Sequence, residues 1–161
     1  MSSPEARLRE LGIELPVPTK VPADVRLPFA FVHVVERRVL ISGHGPTDAH
    51  GHLCGPFGKV GIDLPPEQAY QAARATGLSI LADIRATIGS LDRVAQWVRI
   101  FGMVNCGKGF SAMPQVINGC SDLLLEVFGE EVGRHARSAV GMAALPWDIP
   151  VEIEGELLLK A

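Results

Sequence analysis

The sequence predicts an α+β fold, a β-sheet with two helices packed on one face, and three observations carry that reading. Residues 151–159 set Val151, Ile153, Leu157 and Leu159 against Glu152, Glu154 and Glu156, the period-two signature of a strand with one buried face. Two longer segments, 65–89 and 113–129, repeat their apolar residues at helical spacing. The full order is β-β-loop-α-β-α-β-β. Helices and strands alternate imperfectly, which favours helices gathered on one sheet face over a doubly wound sheet.

Bulk properties narrow the function classes. A chain of 161 residues is long enough to bury a core as one domain. With 47% hydrophobic and 20% charged residues it belongs with ordinary globular chains rather than disordered ones. A net charge of −3 provides no basic face of the kind that duplex nucleic acid demands. Cys54, Cys106 and Cys120 form no CxxC pair, so reduced thiols in a reducing compartment are expected. The charged N-terminus lacks the apolar stretch of a signal peptide, and no apolar run approaches a membrane span. A cytoplasmic location is the expectation.

Residues 3–11 read as a short helix capped by Ser3, with Pro4 in its first turn and Gly12 after its end. Leu15 to Pro28, punctuated by Pro16, Pro18, Pro22 and Pro28, reads as an extended connector on the surface of the domain. A boundary near residue 26 separates this extension (1–26) from the main domain (27–161). Phe29–Val35 and Arg38–Ser42 form a hairpin, although its turn lacks the usual Gly or Asn. A glycine-rich loop follows, in which Lys59-Val60-Gly61 suggests a short strand. A helix runs from Pro65-Pro66-Glu67 to Gly89. Val94–Val104 is apolar on both faces, as expected of a central strand covered on both sides. The second helix carries Met113, Val116, Ile117, Cys120, Leu124, Val127 and Phe128 on one face and stops at Gly129. The small-residue run 138–145 then reaches the proline-bounded corner Pro146–Pro150 and the final strand. Side chains so small leave room for another surface, such as a second subunit, to approach closely.

The chemistry concentrates around that corner. Arg137, at the entrance of the penultimate strand, offers a planar fork suited to a carboxylate, a pairing that contributes roughly 1.5–3 kcal/mol when bidentate. Glu152 lies two residues past the corner, opposite in direction to Val151 and Ile153. If the last two strands pair, both groups lie near the same end of the sheet. On spacing alone the three glutamates are a solvated strand face and Arg137 a surface arginine. His44, His50, His52 and Cys54 are zinc-type ligands, but their spacing matches no recognised site and reads as a polar loop. Cys106 and Cys120 sit in apolar contexts unsuited to a nucleophile. Arg134, His135 and Arg137 form the one local basic cluster. No phosphate-cradling glycine motif occurs.

Four segments in a fixed order carry a family resemblance: VLISGHGP, GKVGIDL, QVINGCSDLLLEVFGE, and ARS followed by LP and VEIE. Together they resemble the RidA (YjgF) family of imine and enamine deaminases, some members of which carry the label endoribonuclease L-PSP. The likeness spans roughly residues 27–159 and is nearest to a longer branch with an N-terminal extension. It implies a mixed β-sheet, and trimers whose sheets face inward as a barrel with active sites in clefts between neighbours. It implies that Arg137 holds the substrate carboxylate and that Glu152 orients the attacking water. Asn118, Ser42, Gly43 and His44 would line the cleft, His44 standing where the family has glutamine. Phe29 takes the place of a tyrosine and keeps only its stacking surface. Ala139 takes the place of a cysteine, leaving its backbone carbonyl to accept from the imine nitrogen. The implied activity is that of a 2-iminobutanoate/2-iminopropanoate deaminase-like hydrolase, giving a 2-oxo acid and ammonia. It needs no metal or organic cofactor, because an imine is already electrophilic. The expected partners are a small-molecule carboxylate and two further copies of the chain, with neither nucleic acid nor membrane. The departures at Phe29, His44 and Ala139 keep a rival open, a regulatory protein that binds a carboxylate without turnover. An endoribonuclease ranks third, against the charge balance.

Overall fold

A computed structural model describes residues 2–161. Its order is α1 (Pro4–Glu10), β1 (Val32–Val35), β2 (Arg38–His44), α2 (Pro66–Ile88), β3 (Val94–Asn105), α3 (Met113–Gly133), β4 (Ala136–Met142) and β5 (Val151–Leu159). The five strands form one mixed sheet in the order β1-β2-β5-β3-β4, all neighbours antiparallel except β3 and β4, which are parallel. Parallel neighbours need a crossover, and α3 supplies it. α2 and α3 pack against each other and against one face of the sheet, as the α+β reading requires. Between sheet and helices lies a core built on Trp97, Ile100, Ile117, Leu123, Leu124, Ile153 and Leu157, each almost fully buried.

The final strand is the centre of the sheet. The last two strands do not pair, contrary to the simplest reading of the corner. After β4 the chain crosses over β3, and β5 inserts between β2 and β3. The reason lies in register: β3 has a partner on each side, and its long apolar edge takes β5 in antiparallel pairing from Val94 to Val104. β3 is an interior strand, but it is not covered on both faces. Trp97, Ile100 and Val104 are buried beneath the helices, while Val98, Phe101 and Met103 are half-exposed on the open side.

Smaller corrections have local causes. Regular pairing of the first strand begins at Val32 rather than Phe29; ahead of it Ser42 holds the chain through its amide to the Phe31 carbonyl (2.9 Å) and its hydroxyl to the Ala30 carbonyl (2.7 Å). Val60 makes only isolated bridges, to Leu64 and Cys106, so no strand forms there. Helix α3 breaks at Gly129 (φ 75°) as expected, but a further turn carries it to Gly133.

The N-terminal segment is fastened to the same core. Ser3 caps α1 (3.4 Å to the Ala6 amide), and Leu8 is 3% exposed. The connector then runs antiparallel-like beside the loop, its Val17 and Lys20 amides donating to the carbonyls of Ala49 and Gly51 (3.0 and 2.8 Å).

The helix pair depends on one close approach. A Cβ at Gly119 of α3 would collide with the Tyr70 carbonyl of α2 and lie 3.0 Å from the Arg74 nitrogen, atoms of a backbone that cannot turn aside. Gly119→Ala is therefore expected to lower stability by about 1–3 kcal/mol, read as a lower urea midpoint with an unchanged slope.

Candidate functional site

The predicted site residues divide into two groups on opposite faces of the sheet. Arg137 pairs in register with Ile100, a core residue, and its side chain turns toward α3. Glu152 pairs with Met103 between the buried Val151 and Ile153, so it turns to the other side. The two lie two strands apart and three residues apart along β3, which puts their Cα atoms roughly 14 Å from each other by strand spacing and rise. One chain does not bring them together.

The Arg137 half is tightly organised. Its Nη1 donates to Asn118 Oδ1 (2.8 Å) and Ser121 Oγ (3.0 Å), and its Nη2 donates to the Pro114 carbonyl (3.3 Å). Pro114, Asn118 and Ser121 fall at i, i+4 and i+7 on one face of α3, so the helix holds the guanidinium along a single stripe. Ser121 in turn donates to His135 Nε2 (3.0 Å), whose Nδ1–H donates to the Gly133 carbonyl (2.7 Å). Burial, aided by the Arg137 charge and opposed by the Gly133 bond, pushes the His135 pKa below its ordinary value. His135 is thus a neutral support for Ser121 rather than part of a basic cluster. Ala139, two residues along β4, shares the Arg137 face and packs against the core. Among the described residues no carboxylate pairs with Arg137. Three of its five N–H bonds are used, leaving the Nε proton and one on Nη2 for an external acceptor.

The Glu152 half opens into a cavity of about 860 Å³. Glu152 lies over Gly43, where any Cβ would overlap its Oε1, so only glycine lets the carboxylate rest against β2. Burial, reinforced by the nearby Glu154 charge and partly offset by His44, raises the Glu152 pKa above the usual carboxylate range. Phe29 and His44 also line this cavity, while Ser42 only braces its edge through the Ala30 carbonyl. Phe29 stacks edge-on against Phe31 (5.7 Å), which in turn lies 5.1 Å from the His44 ring. His44 is 2% exposed, and both its nitrogens are engaged, Nδ1 with the Ser42 carbonyl (2.6 Å) and Nε2 with Asp83 Oδ2 (3.0 Å).

Sequence reasoning missed Asp83, which also accepts from the Thr19 amide (2.8 Å) and so ties the connector to the cavity wall. Burial opposes its ionisation, but the bonds from His44 and Thr19 prevail and hold its carboxyl below the ordinary value. The available signal was an acid placed among Ile80, Leu81, Ala82 and Ile84 on a helix otherwise apolar there. The strained corner was also missed. Trp147 and Asp148 both adopt left-handed backbone (φ 52° and 58°), at a cost of order 1–3 kcal/mol each. Asp148 is clamped by the Gly58 amide to its carbonyl and by Asn105 Nδ2 to its Oδ1, both at 2.8 Å. Lys59 Nζ completes the clamp by donating to Asn105 Oδ1 (2.8 Å) and the Ala143 carbonyl (2.6 Å).

The other candidate chemistries lose their geometry. His44 turns inward while His50 and His52 are exposed, and no metal-binding group of three ligands forms among the described residues. Burial pushes the Cys120 thiol up to about 12, which leaves no thiolate for nucleophilic work. No helix among the described residues is long and apolar enough to cross a membrane.

The raised Glu152 pKa has a definite consequence for stability. Folding then favours the protonated form, so the wild type loses stability as pH rises from about 4.3, the unperturbed value, through the raised one. Glu152→Gln should match wild type at pH 4 and exceed it at pH 7 in urea midpoint.

Comparison with known proteins gives a consistent picture. Residues 5–151 match the family model described as "YjgF/chorismate_mutase-like, putative endoribonuclease". Protein TCP17 of Trypanosoma cruzi is 39% identical over 150 residues, spanning 92% of this chain and 89% of that protein. A protein of unknown function from Agrobacterium tumefaciens superposes with a TM-score of 0.84 at 32% identity, covering 99% of this chain and 93% of its own. A Shewanella oneidensis structure gives 0.85 at 30% identity over 98% of this chain and 100% of its own.

Proposed function

The chain belongs to the YjgF/chorismate mutase-like family, and on that premise we propose that it hydrolyses imino or enamino acids to 2-oxo acids and ammonia in a site completed by a second copy of itself. One observation carries the reading: Arg137 is fixed by neutral acceptors alone, with two N–H bonds unspent and no carboxylate beside it among the described residues. A guanidinium so held is preorganised for an anion from outside the chain.

Glu152 supplies the base. A half-buried carboxylate with a raised pKa takes a proton from water near neutral pH better than an exposed one. The water oxygen adds to the carbon of the protonated imine as Glu152 accepts one of the water protons, giving a tetrahedral amino alcohol. Glu152 returns that proton to the nitrogen, the C–N bond breaks, and ammonia leaves as the C=O bond forms and the hydroxyl proton passes back to Glu152. Arg137 holds the carboxylate of the substrate throughout. Because Arg137 and Glu152 of one chain face opposite ways, the reaction requires Arg137 of one copy beside Glu152 of the next. A homotrimer is the assembly this reading calls for, with the half-exposed Phe101, Met103 and Val98 as apolar surface on the open face and Arg137 carried on the edge strand β4. The endoribonuclease label fits less well, since the chain carries a net charge of −3 and burial disfavours the charged form of His135.

Mixing separates this arrangement from any site within one chain. Arg137→Ala and Glu152→Gln should each lower turnover of freshly generated 2-imino acids by ~10²-fold or more. Unfolded together and refolded as mixed trimers, the two variants should regain about one quarter of wild-type activity, the share of interfaces that keep both residues. No recovery, or a monomer by light scattering, would sink the shared site. Binding of 2-oxo acids without any turnover by wild type would instead favour a carboxylate-binding protein.

A further inference from the structure

In the single chain the cavity beside Glu152 is much larger than a three- or four-carbon acid needs. Its volume of about 860 Å³ lies near the top of the ~300–1,000 Å³ range of pockets that hold drug-sized ligands. Four parts of the chain enclose it: the connector with Val21, Val25 and Leu27, the entry to β1 with Phe29 and Phe31, the loop with Leu53, and the corner with Trp147. The connector is a fixed wall, since Asp83 holds the Thr19 amide and Gly51 the Lys20 amide.

Most polar side chains on the inner wall are already spent. His44 commits both nitrogens to Ser42 and Asp83, and the Thr47 hydroxyl is bonded to that of Ser79. Lys20 and His52 are exposed at the rim. What remains inside is the Glu152 carboxylate, the unpartnered Thr19 hydroxyl and a mostly apolar lining. Trp147 is 79% exposed and Phe29 51%, both beside the cavity, and the Asn105–Asp148 clamp fixes the Trp147 backbone in a conformation that tryptophan rarely adopts.

Resting on the reading of Glu152 and Arg137 given above, we propose that the substrates of this protein carry a bulky apolar side chain, of about aromatic size, on the imino-acid carbon. The head group lies at Glu152, and the side chain extends along the connector toward Leu53 and Trp147. A polar side chain finds little beyond the Thr19 hydroxyl unspent there and loses most of its hydration without compensation. Trp147 and the connector are the specificity-determining elements.

Titration calorimetry with stable 2-oxo acids tests this on the full chain. Phenylpyruvate should bind wild type at least tenfold more tightly than pyruvate. Trp147→Ala, which removes the rim, and Val25→Trp, which fills the cavity from the connector, should each cut that ratio at least fivefold. Two variants on different segments keep the test valid if one of them misfolds. Equal binding of the two acids, both lost in Arg137→Ala, would overturn the side-chain inference and leave the carboxylate site standing. A tenfold preference insensitive to both variants would also overturn it. Binding of neither acid would overturn the inference and the deaminase reading together. Phenylpyruvate binding lost in Trp147→Ala but retained in Arg137→Ala would support the apolar cavity and sink the Arg137 assignment.

Discussion

The alternation of β5 is the constraint on which the rest of the molecule depends. Val151, Ile153, Leu157 and Leu159 are at most 3% exposed, and they anchor the core from the middle of the sheet. A slip of one residue would send all four into the open and bury Glu152, Glu154 and Glu156 beneath the helices. Register is therefore set by burial, and the direction of Glu152 follows from it. No local preference at Glu152 is required; its neighbours decide where it points.

Arg137 is governed by the same rule applied one strand further out. β4 runs parallel to β3 with Arg137 opposite Ile100, so the arginine inherits the helix side of the sheet. There the stripe Pro114, Asn118 and Ser121 receives it. The sheet thus keeps Arg137 and Glu152 of one chain on opposite faces.

Much of this was legible in the residues. The fold class follows from periodicity, which is local and strong in β5, α2 and α3. The cap at Ser3 and the end of α2 at Gly89 also follow from local chemistry. Strand order was not legible, because it depends on which apolar edges meet across long separations, and the short corner after β4 suggested pairing with its successor. For the same reason Arg137 and Glu152 looked like neighbours in one chain. Of the residues expected in the site, Glu152, Gly43, His44 and Phe29 do share one cavity, while Arg137, Asn118 and Ala139 lie together on the far side. Asp83, Ser121 and the supporting role of His135 escaped notice because they act through partners distant in sequence. The left-handed Trp147 could not be read at all, since tryptophan has no preference for that conformation and the clamp that enforces it comes from Asn105.

The contrast between the two tryptophans has an optical consequence. Trp97 is 1% exposed, wedged edge-on against Phe128 (5.9 Å), with its Nε1 buried away from any acceptor. Trp147 stands almost wholly in water beside the cavity. The first indole emits from a dry environment and the second from a wet one, so the emission of the folded protein is the sum of a blue and a red component. Dissolved quenchers reach only the red one. The blue component follows the integrity of the core, and the red one follows whatever enters the cavity, so a single unlabelled sample reports folding and occupancy in separate wavelength bands.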